Sequence, residues 1–302
     1  MSPRERLVNA TATPRCAAGA RQAPPLVVRD VDGPLEMADC VALYDRVMGL
    51  RPGDGSLNPR LLTALQDNSG LVVGAYLGEA LVGFTYSFLA RERGIDGQGP
   101  RLYQYSQLAV VAHERQGLGI GRLLKLGQRD RCLAEGTTLI RWAYDPMQTR
   151  NAHFNLDVLG TVVDAFKPAM YGASGFGAAT GESTDRFIVS WHLDAPARPA
   201  APAPAPPPGG WSVGQVYDDG DDRIVVLPDD WHRLRAEAGP EHAARLRGRL
   251  TPTFTRLLAE RTAVSCVRLP GGLAAYRFVP RAAAPGTAPA PDRAPHGRTP
   301  HA

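Results

Sequence analysis

The sequence predicts an α/β protein, with a mixed, mostly antiparallel central sheet flanked by helices and a small C-terminal α/β unit after it. Three observations lead there. Apolar runs punctuated by turn residues recur between residues 71 and 111, which reads as an antiparallel meander. The meander runs straight into a glycine-rich turn, Gln116-Gly117-Leu118-Gly119-Ile120-Gly121, and then into a helical pattern. A Pro/Ala stretch at residues 195–210 then separates this region from a shorter one with its own strand and helix signals.

Bulk properties narrow the class. The 302 residues suggest about two domains and are enough to bury a core. Hydrophobic content of 44% with 21% charged residues is that of a globular protein in water. The net charge of +4 is mild, and no Lys/Arg block is interleaved with aromatics, so no nucleic-acid partner is expected. No apolar run is long enough to span a bilayer, and the first residues lack the apolar segment of a secretory signal, so no membrane association is expected. The four cysteines, Cys16, Cys40, Cys132 and Cys266, are widely spaced with no C-x-x-C pair. That argues against a metal site and a disulfide framework, and for reduced thiols in a cytoplasmic protein.

In chain order, residues 1–24 read as a disordered leader. Residues 26–29 form a short strand. Met37, Val41, Tyr44 and Met48 make a helical stripe that Gly49 ends. Asn58-Pro59 opens a second helix as N-cap and first-turn proline. Strands at 71–77, 81–89 and 102–111 follow, the first two joined at Gly78-Glu79. A helix over 119–135, a strand over 137–144, a helix over 149–159 and strands at 162–166 and 186–193 complete a first domain, residues 25–194. After the 195–210 linker, the C-terminal unit at 211–280 carries a strand at 223–227, helices at 230–238 and 241–261, and a hairpin around Pro270-Gly271-Gly272. Residues 281–302 read as a disordered Pro/Ala tail.

The glycine turn is the strongest chemical signal. Glycines let a ligand approach the backbone, and the first N–H groups of a helix lack internal partners and sit at the positive end of its dipole. That combination binds phosphate. A P-loop is excluded because no Gly-Lys-Ser/Thr follows. A dinucleotide fingerprint fails because the sixth position counted from Gly117 is Arg122 and the preceding strand belongs to a meander. The pattern that fits is Gln-x-x-Gly-x-Gly at Gln116, Gly119 and Gly121.

On these residues the chain resembles the GNAT superfamily of acyl-CoA-dependent N-acyltransferases over about residues 26–193, and within it a subgroup of predicted acetyltransferases with an extended C-terminal region. Further segments carry the likeness: Gly121-Arg122-Leu123-Leu124-Lys125, Gln128-Arg129, Arg141-Trp142, Asp145-Pro146, Asn151 to Leu156, Leu159-Gly160, Tyr171-Gly172, Asp185-Arg186-Phe187 and Trp191. The resemblance implies a sheet whose strands at 102–111 and 137–144 splay apart. It implies acetyl-CoA, or another acyl-CoA, as co-substrate without a metal, and a small-molecule amine as acceptor that attacks the thioester directly. Ala109, Val110 and Val111 would bond the pantetheine arm. Gln116, Gly117, Leu118, Gly119, Ile120, Gly121 and Arg122 would hold the pyrophosphate, with Asn151 near the arm.

The proton chemistry is less regular. Relatives carry an acidic Tyr four residues before a glycine; relative to Gly160 that position is Leu156. Tyr144, His153 and Tyr171 are nearby substitutes. Asp145, at a strand end beside the cleft, is a candidate base, with an Asp-Pro turn as its structural alternative; His153 is a second. A protein of this fold that binds acyl-CoA without transferring it is the alternative function. The C-terminal unit could shape the acceptor pocket, form a homodimer, or only pack.

Overall fold

The structure is a computed structural model that describes residues 24–281 except 52, 53, 55, 93–99, 173–183 and 197. The leader and tail expected from the sequence lie outside the described residues apart from Pro24 and Arg281, as do Cys16 and most of the 91–100 and 172–184 loops. The elements are β1 (Leu26–Asp30), α1 (Gly33–Met48), α2 (Pro59–Asp67), β2 (Leu71–Leu77), β3 (Ala80–Glu92), β4 (Arg101–Val111), α3 (Ile120–Ala134), β5 (Leu139–Tyr144), α4 (Thr149–His153), β6 (Val162–Lys167), β7 (Arg186–His192), β8 (Val216–Asp219), β9 (Asp222–Pro228), α5 (Trp231–Ala238), α6 (Pro240–Glu260), β10 (Arg261–Leu269) and β11 (Leu273–Pro280).

The strands form one sheet in the order β1-β2-β3-β4-β5-β7-β6-β10-β11-β9-β8. Every neighbouring pair is antiparallel except β4 and β5, which run parallel and are joined by α3. The parallel pairing covers only Gln104↔Ile140 and Tyr105↔Arg141. Beyond it the strands diverge, so the expected architecture, a mixed and mostly antiparallel splayed sheet flanked by helices, is the one observed. α1 and α2 cover one face of the meander, where Met37, Cys40, Leu43 and Leu62 pack on Val72, Phe84, Tyr86 and Val110. α3 covers the other, with Ile120 and Leu124 against Val73, Val82 and Trp142.

The C-terminal residues continue the same sheet. β10 meets β6 at a single register pair, Ala263↔Val163. Side chains stitch the rest of that junction. Asp157 Oδ2 accepts from the Cys266 N–H at 2.8 Å and Oδ1 from Ser265 Oγ at 2.6 Å. Arg198, inside the Pro/Ala stretch, donates to the carbonyls of Leu156, Thr161 and Val264 at 3.1, 3.0 and 2.5 Å. α6 lays Phe254 against Phe187 and Phe166 at centroid distances of 4.8 and 5.9 Å, with Tyr276 and Phe278 completing an aromatic core. β8, absent from the sequence expectations, pairs with β9 across Gly220 (φ +61°); two of its four residues are aspartates, which hides the strand pattern. α6 runs through Pro252 without a break, Thr251 bonding back to the Arg247 carbonyl at 3.1 Å.

Because Phe254 joins the two halves of the sheet, Phe254→Ala is expected to cost about 3–5 kcal/mol. Urea unfolding should remain a single cooperative transition at a lower midpoint. Two separate transitions in the parent protein, with only one moved by the substitution, would contradict this coupling.

Candidate functional site

The glycine turn lies between the end of β4 and the first turn of α3. A 3-10 turn at His113–Arg115 leads into it. His113 Nε2 lies 3.1 Å from the Val47 carbonyl of α1, and Gln116 Nε2 donates to the Val111 carbonyl at 3.1 Å. Gln116 thus latches the turn to the end of β4. Gly117 and Gly119 have φ of +78° and +80°, which favours glycine. Arg122 and Leu123 already bond the Gly119 carbonyl, at 3.0 and 3.1 Å. The Arg122 amide is therefore satisfied within the fold, while its side chain is exposed. The N–H groups of residues 117–121 have no acceptor among the described residues. Five consecutive open amides at a helix N-terminus form an anion cradle.

Gly121 tests whether that cradle is built for a ligand. Its φ is not positive and a Cβ there would meet nothing within 4 Å. Neither backbone conformation nor packing requires glycine at this position, whereas close approach of a phosphate to the backbone would. The residues present therefore fit a diphosphate-bearing co-substrate.

The cradle continues into the open edge of β4. Ala112 N–H bonds the Val82 carbonyl at 2.9 Å, and the Val110 carbonyl lies against Gly83 of β3. Antiparallel alternation then turns the N–H and C=O groups of Ala109 and Val111 away from β3, into the splay. The Val111 carbonyl is taken by Gln116, which leaves Ala109, itself exposed, with an unpaired peptide edge. The register shifts by one residue between Tyr86↔Leu108 and Ser87↔Ser106, a β-bulge at Gln107 where the splay begins.

The structure distributes the expected proton-transfer residues differently. Both carboxylate oxygens of Asp145 meet the Arg247 guanidinium, at 2.9 and 3.0 Å, and Oδ1 also accepts from the Met147 N–H at 2.9 Å. That is a turn carboxylate in a bidentate ion pair, not a base facing the cleft. His153 Nδ1 lies 3.0 Å from the Cys266 carbonyl and 3.3 Å from Asp157 Oδ2, fastening β10. Tyr144 is buried with its hydroxyl 3.2 Å from that of Tyr276, and burial pushes its phenol well above the ordinary value. All three are engaged by the C-terminal residues. Leu156 is buried inside a π-turn, Phe154–Val158. Asn151 is exposed on α4. Tyr171 is exposed too, and lies beside Tyr105 of β4 across the mouth of the splay.

One group at the fork escaped the sequence reading. Lys125 of α3 is buried beneath the splay, its Nζ donating to Ser106 Oγ at 2.7 Å and lying 3.9 Å over the Trp142 ring. Gln128 Oε1 is 3.4 Å away, and no carboxylate pairs with the amine among the described residues. Gln104 Oε1, Gln128 Nε2 and Ser87 Oγ are buried without partners among the described residues. Burial pushes the ammonium down to about 7. The helical stripe Ile120, Leu124, Gln128, Cys132 includes position 125 on its flank, which is the signal that could have exposed it.

The chain matches no protein-family model and no curated protein. Among solved structures it is similar to the ribosomal-protein-S18-alanine N-acetyltransferase of Escherichia coli, at 10% identity and TM-score 0.43, covering 57% of this chain and 96% of that one. It is similar also to an acetyltransferase of the GNAT family from Streptococcus pneumoniae, at 15% identity and TM-score 0.43, covering 55% and 98%. A third is an aminoglycoside 6'-N-acetyltransferase complexed with coenzyme A, at 14% identity and TM-score 0.41, covering 57% and 99%. At these identities and scores the activities of those proteins do not transfer to this chain.

Lys125 sets a pH dependence of stability. Its folded value of about 7 lies below the ordinary 10.5. Between those limits the unfolded chain holds the proton and the folded chain does not, so stability rises with pH across that window. The gain is lost progressively as pH falls from about 10.5 and is gone by about 7, below which the folded chain also carries the proton, as a buried cation. Lys125→Met should flatten the rise and raise stability at pH 6; an unchanged slope in denaturation curves taken from pH 6 to 10 would contradict this.

Proposed function

We propose that the protein is an acyl-CoA-dependent N-acyltransferase that passes an acetyl group to the amine of a small-molecule acceptor. The observation that carries this reading is the run of open amides at 117–121, continuous with the unpaired edge of β4 at Ala109. When bound, acetyl-CoA supplies an acyl carbon activated as a thioester. The cradle amides and the exposed Arg122 side chain hold its diphosphate. The Ala109 peptide bonds the amide-bearing arm as a sheet neighbour would, with Val110 and Val111 fixing the strand that presents it. An N–H at the same edge stabilises negative charge on the acyl oxygen. Asn151, on α4 across the gap, supports the arm from the other side.

The reading also says what the chain does not supply. Asp145 and His153 are committed to Arg247 and Cys266, so the amine proton is left to solvent or to the acceptor's own equilibrium. Tyr105 stays protonated, since burial first and Tyr171 second push its phenol up. With Tyr171 it offers hydroxyls at the mouth of the splay, from which a departing thiolate can be protonated. A second reading, an acyl-CoA-binding protein without transfer, is favoured by Leu156, buried where relatives place their acid. A reducing, cytoplasmic setting is supported by the free, buried Cys40, Cys132 and Cys266.

Acetyl-CoA at a hundred times its dissociation constant should stabilise the fold by about 2.7 kcal/mol. Gly121→Asp should leave the unliganded fold intact, since the site is open and an acidic first turn suits the helix dipole, yet abolish the thermal shift. A shift retained in that variant would move the site elsewhere, and no shift in the parent would remove both readings. Thiol release across a panel of amines separates transfer from binding alone. With Asp145 and His153 both committed elsewhere, kcat/KM should rise tenfold per pH unit up to the acceptor's own pKa. A plateau well below it would reveal a catalytic base.

A further inference from the structure

The acceptor side of the splay has a defined chemistry. Ser106 faces α3, so alternation places Tyr105 on the opposite face, with its register partner Phe88 at a centroid distance of 5.4 Å and on the same face of β3 as Phe84 and Tyr86, which pack on α1 and α2. Tyr86 is buried on that face with Tyr44 of α1 packed in the same core, so the approach to Tyr105 on that side is lined by aromatic rings. Arg186, the first residue of β7, enters from the far side. Its register neighbour Phe187 pairs with Tyr144, the last residue of β5, which puts Arg186 just past the end of that strand. Its guanidinium stands 5.4 Å from the Tyr171 ring.

Arg186 donates one bond, from Nη1 to the backbone carbonyl of Asp185 at 2.8 Å, and no carboxylate pairs with it among the described residues. The adjacent carboxylate of Asp185 is turned elsewhere, accepting from the Ala169 N–H at 2.8 Å and from Thr251 Oγ at 2.7 Å. Arg141, by contrast, is matched by Glu92 at 2.9 Å. A guanidinium without a counter-charge among the described residues, beside the Tyr171 ring and on the face away from the coenzyme cradle, is a receptor for an anion presented in that gap.

Resting on the acyltransferase reading, we infer that the acceptor is a small amine that also carries an anionic group, a carboxylate or a phosphate, which Arg186 holds while the tyrosines enclose its carbon chain. Arg186 acts by positioning the acceptor and sets specificity.

The test compares propylamine, β-alanine and 2-aminoethylphosphonate, by calorimetric titration into the coenzyme A-saturated protein and by acetyl transfer. The parent should favour one or both anionic amines over propylamine by about 10- to 100-fold, the range of a charge-assisted hydrogen bond. Which of the two gains more tells carboxylate from phosphate. Arg186→Met should bring the ratio close to one through KM rather than kcat, and Arg186→Lys should restore part of it. No preference in the parent, or a preference that survives Arg186→Met, would overturn the inference. Arg186-dependent binding of the anionic amines without any transfer would uphold Arg186 as the anion receptor while overturning the acceptor role together with the transferase reading.

Discussion

Two residue pairs, Gln104↔Ile140 and Tyr105↔Arg141, are the whole of the parallel pairing between β4 and β5, and the open edge of β4 exists because the pairing stops there. β5 is held along its full length by β7, from Leu139↔His192 to Tyr144↔Phe187. β4 is held by β3 on its other side and bulges at Gln107. Lys125 and Trp142 fill the space under the fork, with Ser106 hydrogen-bonded to the amine. The strands are thus each pinned outward and wedged from below. The peptide edge at Ala109 is left without a neighbour, and an extended amide-bearing ligand can become that neighbour. The same divergence aims the end of β4 at the first turn of α3, so the strand edge and the anion cradle form one continuous track.

The C-terminal residues bear on this site through the side chains they occupy. Arg247 of α6 takes Asp145, Tyr276 of β11 takes Tyr144, and Cys266 of β10 takes His153. Each is a group that could have moved a proton, and each instead fixes the position of α4 and the end of β5. α4 therefore carries the exposed Asn151 on a rigid support. The energetic logic is that of a buried ion pair and aromatic packing holding geometry.

The meander, the glycine turn and the crossover helix were legible because each has a local signature: alternation, turn residues, and an amphipathic stripe. The cradle was legible for the same reason, down to Gln116 and the three glycines, although the satisfied amide of Arg122 depends on where the helix starts by a single residue. Other features were not local. The roles of Asp145 and His153 depend on partners about a hundred residues away in sequence, Arg247 and Cys266. The continuation of the sheet through β6 and β10 rests on one register pair and on Asp157 and Arg198, which no periodicity reveals. Lys125 looks like a surface lysine until the helix stripe is laid against the sheet.

Hydrogen–deuterium exchange resolved to single amides tests the account most directly, with acetyl-CoA added to the protein. The amides of residues 117–121 and of Ala109, open in the structure, should become protected together, while those of β10 and α6 stay as they were. Protection elsewhere with no change at 117–121 and 109 would contradict the claim that the cradle and the free strand edge form one acyl-CoA track.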